Sequence, residues 1–501
     1  MTKRQPNVLL IVCDHWAAEH LGFAGNPGIL TPGLNEIASC GVRYSNAYSE
    51  CPVCIPARRT LMTGMTPKGH GDRVFQDHLT FPKVTTLATA FKRAGYQAQA
   101  VGKLHVHPQR DRIGFDDVIL DDEGRPQWGV TDDYDIYLGD QGLAGRQFDH
   151  GMSNNQYHWR PWHLDEAHHA TTWAGREMAR TIKRRDPTRP AFWYLGFRHP
   201  HPPLVPPQAY MDLYDRVEID APYVGDWARS DSLPFPIQAL KARRTLYSDA
   251  QLMEARRAFY ALCTQIDHQI RYLIGTLRLE GILDNTILMF TSDHGDMLGN
   301  HGMVAKRIFY ESSANIPMIL MPNKGNPRVP EGVVDDRLVG FADVMPTLLE
   351  LCDIDVPETV EGQSMLAPGR EYLYGECGED DHASRMIREE RWKLIWYPTG
   401  NHFQLFDMAN DPQELTDLAG ASAHTATLDR LKSHLRDELY DSDLDWMDGE
   451  TFVGKPNREY NWAPHRSLNS QRGDSWPPGP IVDIPQIEWT KERTGDWPAN
   501  S

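Results

Sequence analysis

The chain predicts an α/β protein built on a large, mostly parallel sheet flanked by helices, with a smaller C-terminal α+β subdomain. Three observations carry this reading. Short apolar runs alternate with helical patterns over the first 370 residues. Four of those runs end in clusters of polar, chemistry-bearing residues. Near residue 371 the texture changes to closely spaced strand patterns followed by one helix.

In order along the chain, residues 8–13 form a continuous apolar run that ends in Asp14-His15, the pattern of a central parallel strand buried on both faces. Residues 85–94 read as a helix stopped by Gly95, and 96–101 as a strand delivering Gly102-Lys103-Leu104-His105. The run at 191–197 reads as another strand, followed by Arg198-His199-Pro200-His201-Pro202-Pro203. Phe259, Leu262, Ile266, Ile270, Leu273 and Leu277 recur at helical spacing and predict a long amphipathic helix over 253–279. A strand at 286–291 ends in Ser292-Asp293-His294-Gly295, and 341–352 reads as a short helix outside the sheet. Ligands of open α/β sheets bind beyond the carboxyl ends of the strands, so the four clusters are expected to converge on one pocket. Strands at 372–375, 392–397 and 403–406 and a helix at 426–439 make up the subdomain. The expected organisation is a catalytic domain at 1–370, the subdomain at 371–445 and an extended Pro- and Trp-containing tail at 446–501.

Composition excludes several classes. The 501 residues are 40% hydrophobic and 24% charged, and the formal net charge of −18 argues against nucleic acid or an anionic membrane as partner. An anionic substrate would need a locally positive pocket. No stretch approaches the roughly 20 apolar residues of a membrane span. Seven cysteines (13, 40, 51, 54, 263, 352 and 377) are scattered without framework spacing, and with no signal-like segment at the start the expected location is cytoplasmic.

The most informative segment is 51–64, which holds Cys54-Ile55-Pro56-Ala57-Arg58 before a helix-like stretch closed by Gly64. A cysteine at the mouth of a helix meets free N–H groups and a favourable dipole, Pro56 suits the first turn, and Arg58 lies one turn on. Asp14, His15, Asp293 and His294 offer the ligand set of a divalent cation. Lys103, His105, His201 and Lys306 add positive charge and proton-transfer capacity, which together with Arg58 suits a tetrahedral oxyanion, sulfate or phosphate. A thiolate matches poorly a cation that prefers hard oxygen ligands, so Cys54 is not expected to act as a thiol.

These motifs, CIPAR, VGKLH, RHPHPP and SDHGDMLGNHGMVAK in this order, resemble the type I sulfatases of the alkaline phosphatase superfamily along nearly the whole chain. The Asp293-His294 pair is similar to the choline-sulfatase and phosphonate monoester hydrolase branch. The resemblance implies an alkaline-phosphatase-like sandwich and oxidation of Cys54 to Cα-formylglycine by a formylglycine-generating enzyme. As a hydrate, that residue would supply a metal-activated hydroxyl that attacks sulfur. Arg58 and Lys103 would hold the hydrate, His201 or Lys306 would assist the departing alcohol, and His105 would help to deprotonate the second hydroxyl as sulfate leaves. The implied metal positions are Asp14, Cys54, Asp293 and His294, with His15 a further candidate. Calcium is the family's usual cation, with manganese or magnesium as alternatives.

The expected activity is hydrolysis of a small sulfate ester. The alternatives are a phosphonate monoester or phosphodiester hydrolase with the same nucleophile, and a catalytically silent binding protein. Residues 127–172, dense in Trp, Tyr, His and Asp, are expected to form loops over the pocket. The tail tryptophans Trp462, Trp476, Trp489 and Trp497 suggest contacts within a homo-oligomer.

Overall fold

The computed structural model describes residues 5–123, 131–230 and 232–460. Its main sheet has eight strands: β1 (Asn7–Asp14), β2 (Val42–Tyr48), β3 (Gln97–Gly102), β4 (Asp117–Leu120), β5 (Ala191–Pro200), β6 (Thr286–Ser292), β7 (Met318–Met321) and β8 (Val333–Gly340). They lie in the order β4-β3-β5-β1-β6-β7-β2-β8. All neighbours pair in parallel except β7, which runs antiparallel to both β6 and β2.

The central position of β1 explains its unbroken apolar run. All eight of its residues are buried, and successive side chains serve opposite faces. Leu9, Ile11 and Cys13 enter one hydrophobic core; Val8, Leu10 and Val12 enter the other. Val8 registers with Phe192 of β5 on one side and Ile287 of β6 on the other. The long helix runs Asp249–Leu279, four residues further toward the N-terminus than the apolar spacing indicated. Its start is a capping box, in which Ser248 and Gln251 satisfy each other's backbone N–H groups.

Consequently β3, β5, β1 and β6 lie side by side and in parallel, so the four polar clusters emerge from neighbouring strand ends. At one of these ends Gly102 of β3 pairs with Gly196 of β5. A Cβ on Gly102 would stand 2.0 Å from the Gly196 oxygen, and one on Gly196 would stand 2.2 Å from the Lys103 oxygen. Only glycine permits this approach, which sets Lys103 against the middle of the sheet.

The subdomain sheet has the order β12-β11-β10-β9, all antiparallel, from β9 (Tyr372–Cys377), β10 (Ser384–Glu389), β11 (Trp392–Tyr397) and β12 (His402–Asp407). β10 was not expected. Its Arg385 and Arg388 look like surface residues in sequence, yet both are buried. Arg385 is paired by Asp443, and Arg388 donates to the Tyr48 hydroxyl at 2.8 Å. Helix Thr425–Glu438 covers this sheet through Leu431 and Leu435. The first tail residues pack on this core: Trp446 is buried and precedes a short hairpin of Met447–Asp448 and Thr451–Phe452. Trp462, Trp476, Trp489 and Trp497 lie outside the described residues. Among the described residues no helix is long and apolar enough to cross a membrane.

Candidate active site

Cys54 is the first residue of the helix Cys54–Thr63, which ends at Gly64 in the left-handed conformation (φ 65°). The thiol lies 3.2 Å from His294 Nε2 and 3.6 Å from Asp14 Oδ1. Asp14 ends β1 and Asp293 follows β6, so the two carboxylates come from adjacent strands. One turn into the helix, the Arg58 Nε donates to Asp293 Oδ2 at 2.9 Å. Its Nη1 donates to the Lys103 carbonyl at 3.0 Å and to the Tyr194 hydroxyl at 2.9 Å. Lys103 Nζ contacts Asp14 Oδ2 and donates to Glu123 Oε1 at 2.5 Å.

On the far side of Asp14, His15 adopts a left-handed backbone (φ 72°). Its Nδ1 donates to Asp296 Oδ2 at 2.7 Å, and Lys306 Nζ contacts its Nε2. The His201 ring stands edge-on to His15, with centroids 4.2 Å apart. The structure thus brings Asp14, His15, Cys54, Arg58, Lys103, His201, Asp293, His294 and Lys306 into one buried cluster. His105 stands at its flank, with its backbone N–H donating to Asp122 and its ring edge-on to Phe75 at 5.7 Å.

Electrostatics divide the two aspartates. Burial alone would raise Asp14, but the Lys103 ammonium, with Arg58 behind it, outweighs burial and holds the carboxylate well below its usual range. Burial and the neighbouring Asp14 push Asp293 up to about 7, against the pull of His294 and Arg58. Burial lowers His15, His201 and His294, which favours neutral imidazoles able to accept a proton or ligate a cation.

A divalent cation fits this donor set. One ligand atom each from Asp14, Cys54, Asp293 and His294 lie within 4.8 Å of one another. Asp293 Oδ1 is buried and has no hydrogen-bond partner among the described residues, which is costly unless a cation completes it. Both His15 nitrogens are engaged inside the protein, by Asp296 and Lys306.

Three contributing residues were not singled out from sequence. Glu123 bridges Lys103 and His201, the latter at 3.9 Å. Asp296 orients His15 and takes the Tyr157 hydroxyl proton into a hydrogen bond. Tyr194 caps Arg58 from within β5. Asp296 carried a signal, standing three residues beyond Asp293 in the same loop. Glu123 and Tyr194 acquire meaning only through pairings 20 and 136 residues apart.

Comparison with known proteins identifies the family. Residues 6–354 match the family model described as Sulfatase, and 299–441 match that of the N-sulphoglucosamine sulphohydrolase C-terminal region. The chain is 33% identical over 468 residues to an arylsulfatase of Clostridium perfringens, covering 90% of this chain and 97% of that protein. It is 28% identical over 449 residues to a choline-sulfatase of Rhizobium meliloti, covering 84% and 83% respectively. The phosphonate monoester hydrolase of Silicibacter pomeroyi shares the fold, with a TM-score of 0.73 at 22% identity, covering 91% of this chain and all of that one. The chain therefore belongs to the sulfatase family, in the alkaline phosphatase superfamily, and is a sulfatase enzyme.

Proposed function

We propose that the protein hydrolyses a small sulfate ester to an alcohol and inorganic sulfate, through a covalent sulfo-enzyme on a formylglycine hydrate derived from Cys54. The observation that supports this most is the convergence of Cys54 on Asp14 and His294 at the mouth of a helix, ringed by Arg58, Lys103, His201 and Lys306. Asp14, Asp293, His294 and residue 54 would hold a divalent cation, calcium by resemblance, which when bound supplies Lewis-acid stabilisation of the sulfuryl oxygens.

The remaining work falls to the chain's own side chains. One hydroxyl of the hydrate gives its proton to the Asp293 carboxylate, which sits in the same cluster, and attacks sulfur; the bond from sulfur to the ester oxygen breaks, and its electron pair leaves with the alcohol. Lys306, in contact with His15, supplies the proton or positive charge that the departing oxygen needs, and the His201 ring stands beside it against His15. The second hydroxyl then gives up its proton, with His105 as the acceptor. The carbonyl re-forms, and the carbon–oxygen bond to sulfate breaks with its electrons leaving on sulfate. Arg58, fixed by Asp293, the Lys103 carbonyl and Tyr194, holds the residue-54 end of the helix in place. With both nitrogens engaged, His15 serves to orient Lys306 rather than to ligate the cation.

The test is a comparison of an aryl sulfate with an aryl phosphonate monoester on protein carrying the aldehyde. Higher kcat/KM for the sulfate is expected; a preference for the phosphonate would reassign the activity to the related hydrolase.

A further inference from the structure

Beside the catalytic cluster lies a cavity of about 260 Å³ whose lining includes Val53, Phe75, Leu240, Arg243, Arg307 and His382. Its wall residues adjoin the site. Val53 immediately precedes Cys54, the backbone N–H of Arg307 donates to the Pro52 carbonyl at 3.1 Å, and the Phe75 ring stands edge-on to His105. Arg307 also directly follows Lys306 and is held in a left-handed conformation (φ 82°) that a long side chain rarely adopts.

The charge balance of this cavity is unusual for an acidic protein. Arg73, a third arginine in its wall, is engaged by Glu376, Glu379 and Asp443, so Glu379, the one carboxylate that lines the cavity among the described residues, is already paired. Arg243 and Arg307 have no carboxylate partner among the described residues; the guanidinium of Arg307 lies only over the Phe75 ring, 5.6 Å from its centroid. The two also sense each other, since burial and the Arg307 charge lower the pKa of Arg243. Burial and the charges of Arg307, Arg243 and Arg458 outweigh the pull of Asp381 and lower His382 as well, which favours a neutral imidazole in the cavity wall. An anion placed there would relieve the repulsion and accept from both forks. The apolar wall of Val53, Val74, Phe75, Pro236 and Leu240 suits a ring or hydrocarbon between that anion and the ester. A cavity of roughly 150 Å³ takes benzene, so this one has room for a ring bearing an anionic group.

We infer that this cavity receives the alcohol half of the substrate and that Arg243 and Arg307 select esters whose alcohol carries a second anionic group, a carboxylate or another sulfate. The inference rests on the sulfatase reading and narrows its substrate class. It disfavours a cationic alcohol such as choline, whose charge would face two guanidiniums.

The test compares 4-carboxyphenyl sulfate, 1,4-phenylene disulfate, phenyl sulfate and choline sulfate on aldehyde-bearing protein. A preference in kcat/KM of at least about tenfold for either dianion over phenyl sulfate is expected, with choline sulfate the poorest; which dianion leads identifies the group. In R243Q/R307Q the preference should collapse toward unity through a rise in KM for the dianion, with its kcat kept, and R307K should retain part of it. Thermal melting checks that the variants are folded, and the wild-type preference needs no variant. Equal turnover of phenyl sulfate and both dianions overturns the subsite and leaves the sulfatase reading standing. Cleavage of none of the four overturns that reading instead. Calorimetry with 4-hydroxybenzoate then judges the cavity alone: binding lost in R243Q/R307Q upholds it, and no binding to wild type overturns it.

Discussion

Removing Arg58 isolates what holds the two aspartates together. Arg58 is buried, and its guanidinium is the hydrogen-bonding partner of Asp293 Oδ2 at 2.9 Å, with Asp14 Oδ2 a further 3.8 Å contact. In Arg58→Met the side-chain volume is largely kept, while Asp293 loses the partner of Oδ2 in addition to the already unpartnered Oδ1. The Lys103 carbonyl retains the Tyr194 hydroxyl as a donor at 3.0 Å, so the loss is concentrated on the carboxylate. Breaking a buried ion pair on one side costs about 3–5 kcal/mol where the carboxylate stays ionised, and Asp293, already near 7, escapes part of that cost by taking up a proton. In Arg58→Met/Asp293→Asn the orphaned charge is gone, so the double variant should be less destabilised than the sum of the singles, with a coupling of about 1–3 kcal/mol. Urea unfolding of all four proteins in EDTA measures this. Additive losses, or a double variant as unstable as the sum of the singles, would refute the argument that Arg58 chiefly neutralises Asp293.

Other predictions follow from the same structure. Calcium in excess, at about 100 times its Kd, should stabilise the wild type by about 2.7 kcal/mol, and Asp14→Asn or Asp293→Asn should lose most of that gain in a thermal-shift titration. Lys393, buried on β11, donates to the Phe309 carbonyl at 2.8 Å and pairs with Glu311 at 2.5 Å, tying the subdomain to the catalytic domain. Lys393→Met should therefore cost about 3–5 kcal/mol in urea unfolding. His169 and His301 are fully buried and burial pushes both down to about 3, so folding favours their neutral form. Their stabilisation is complete above the unfolded value near 6.5 and is lost as pH falls from there toward 3. The loss should be about 1.4 kcal/mol per unit for each residue. Chemical unfolding at pH 7 and pH 5 should show it, and His169→Gln should make the slope shallower.

The parts of the fold that were legible in sequence are those whose burial is complete. β1, β3, β5 and β6 are covered on both faces, so their apolar runs needed no partner to be recognised, and the polar residues at their ends marked the site. β2 alternates buried and half-buried positions, β8 is exposed over its first half, and β7 is only four residues long; such segments resemble loops until their neighbours are known. β10 was hidden by charge, because Arg385 is neutralised by Asp443, 58 residues away. Within the site, Cys54, Arg58 and the two Asp-His pairs stood out as local motifs. Glu123 and Tyr194 did not, because their roles arise only when separate strand ends meet. The guanidiniums of Arg243 and Arg307 were equally silent: that no carboxylate among the described residues pairs with them is a fact of packing, invisible in a chain rich in acidic residues.

The most direct test of the account is the mass of the Cys54-bearing peptide across preparations ranked by their turnover of an aryl sulfate. Specific activity should rise in proportion to the fraction of that peptide carrying an aldehyde that a hydrazide traps. Cys54→Ala should fold and melt like the wild type yet release no sulfate. Full turnover from protein in which Cys54 is entirely unmodified thiol would contradict the account.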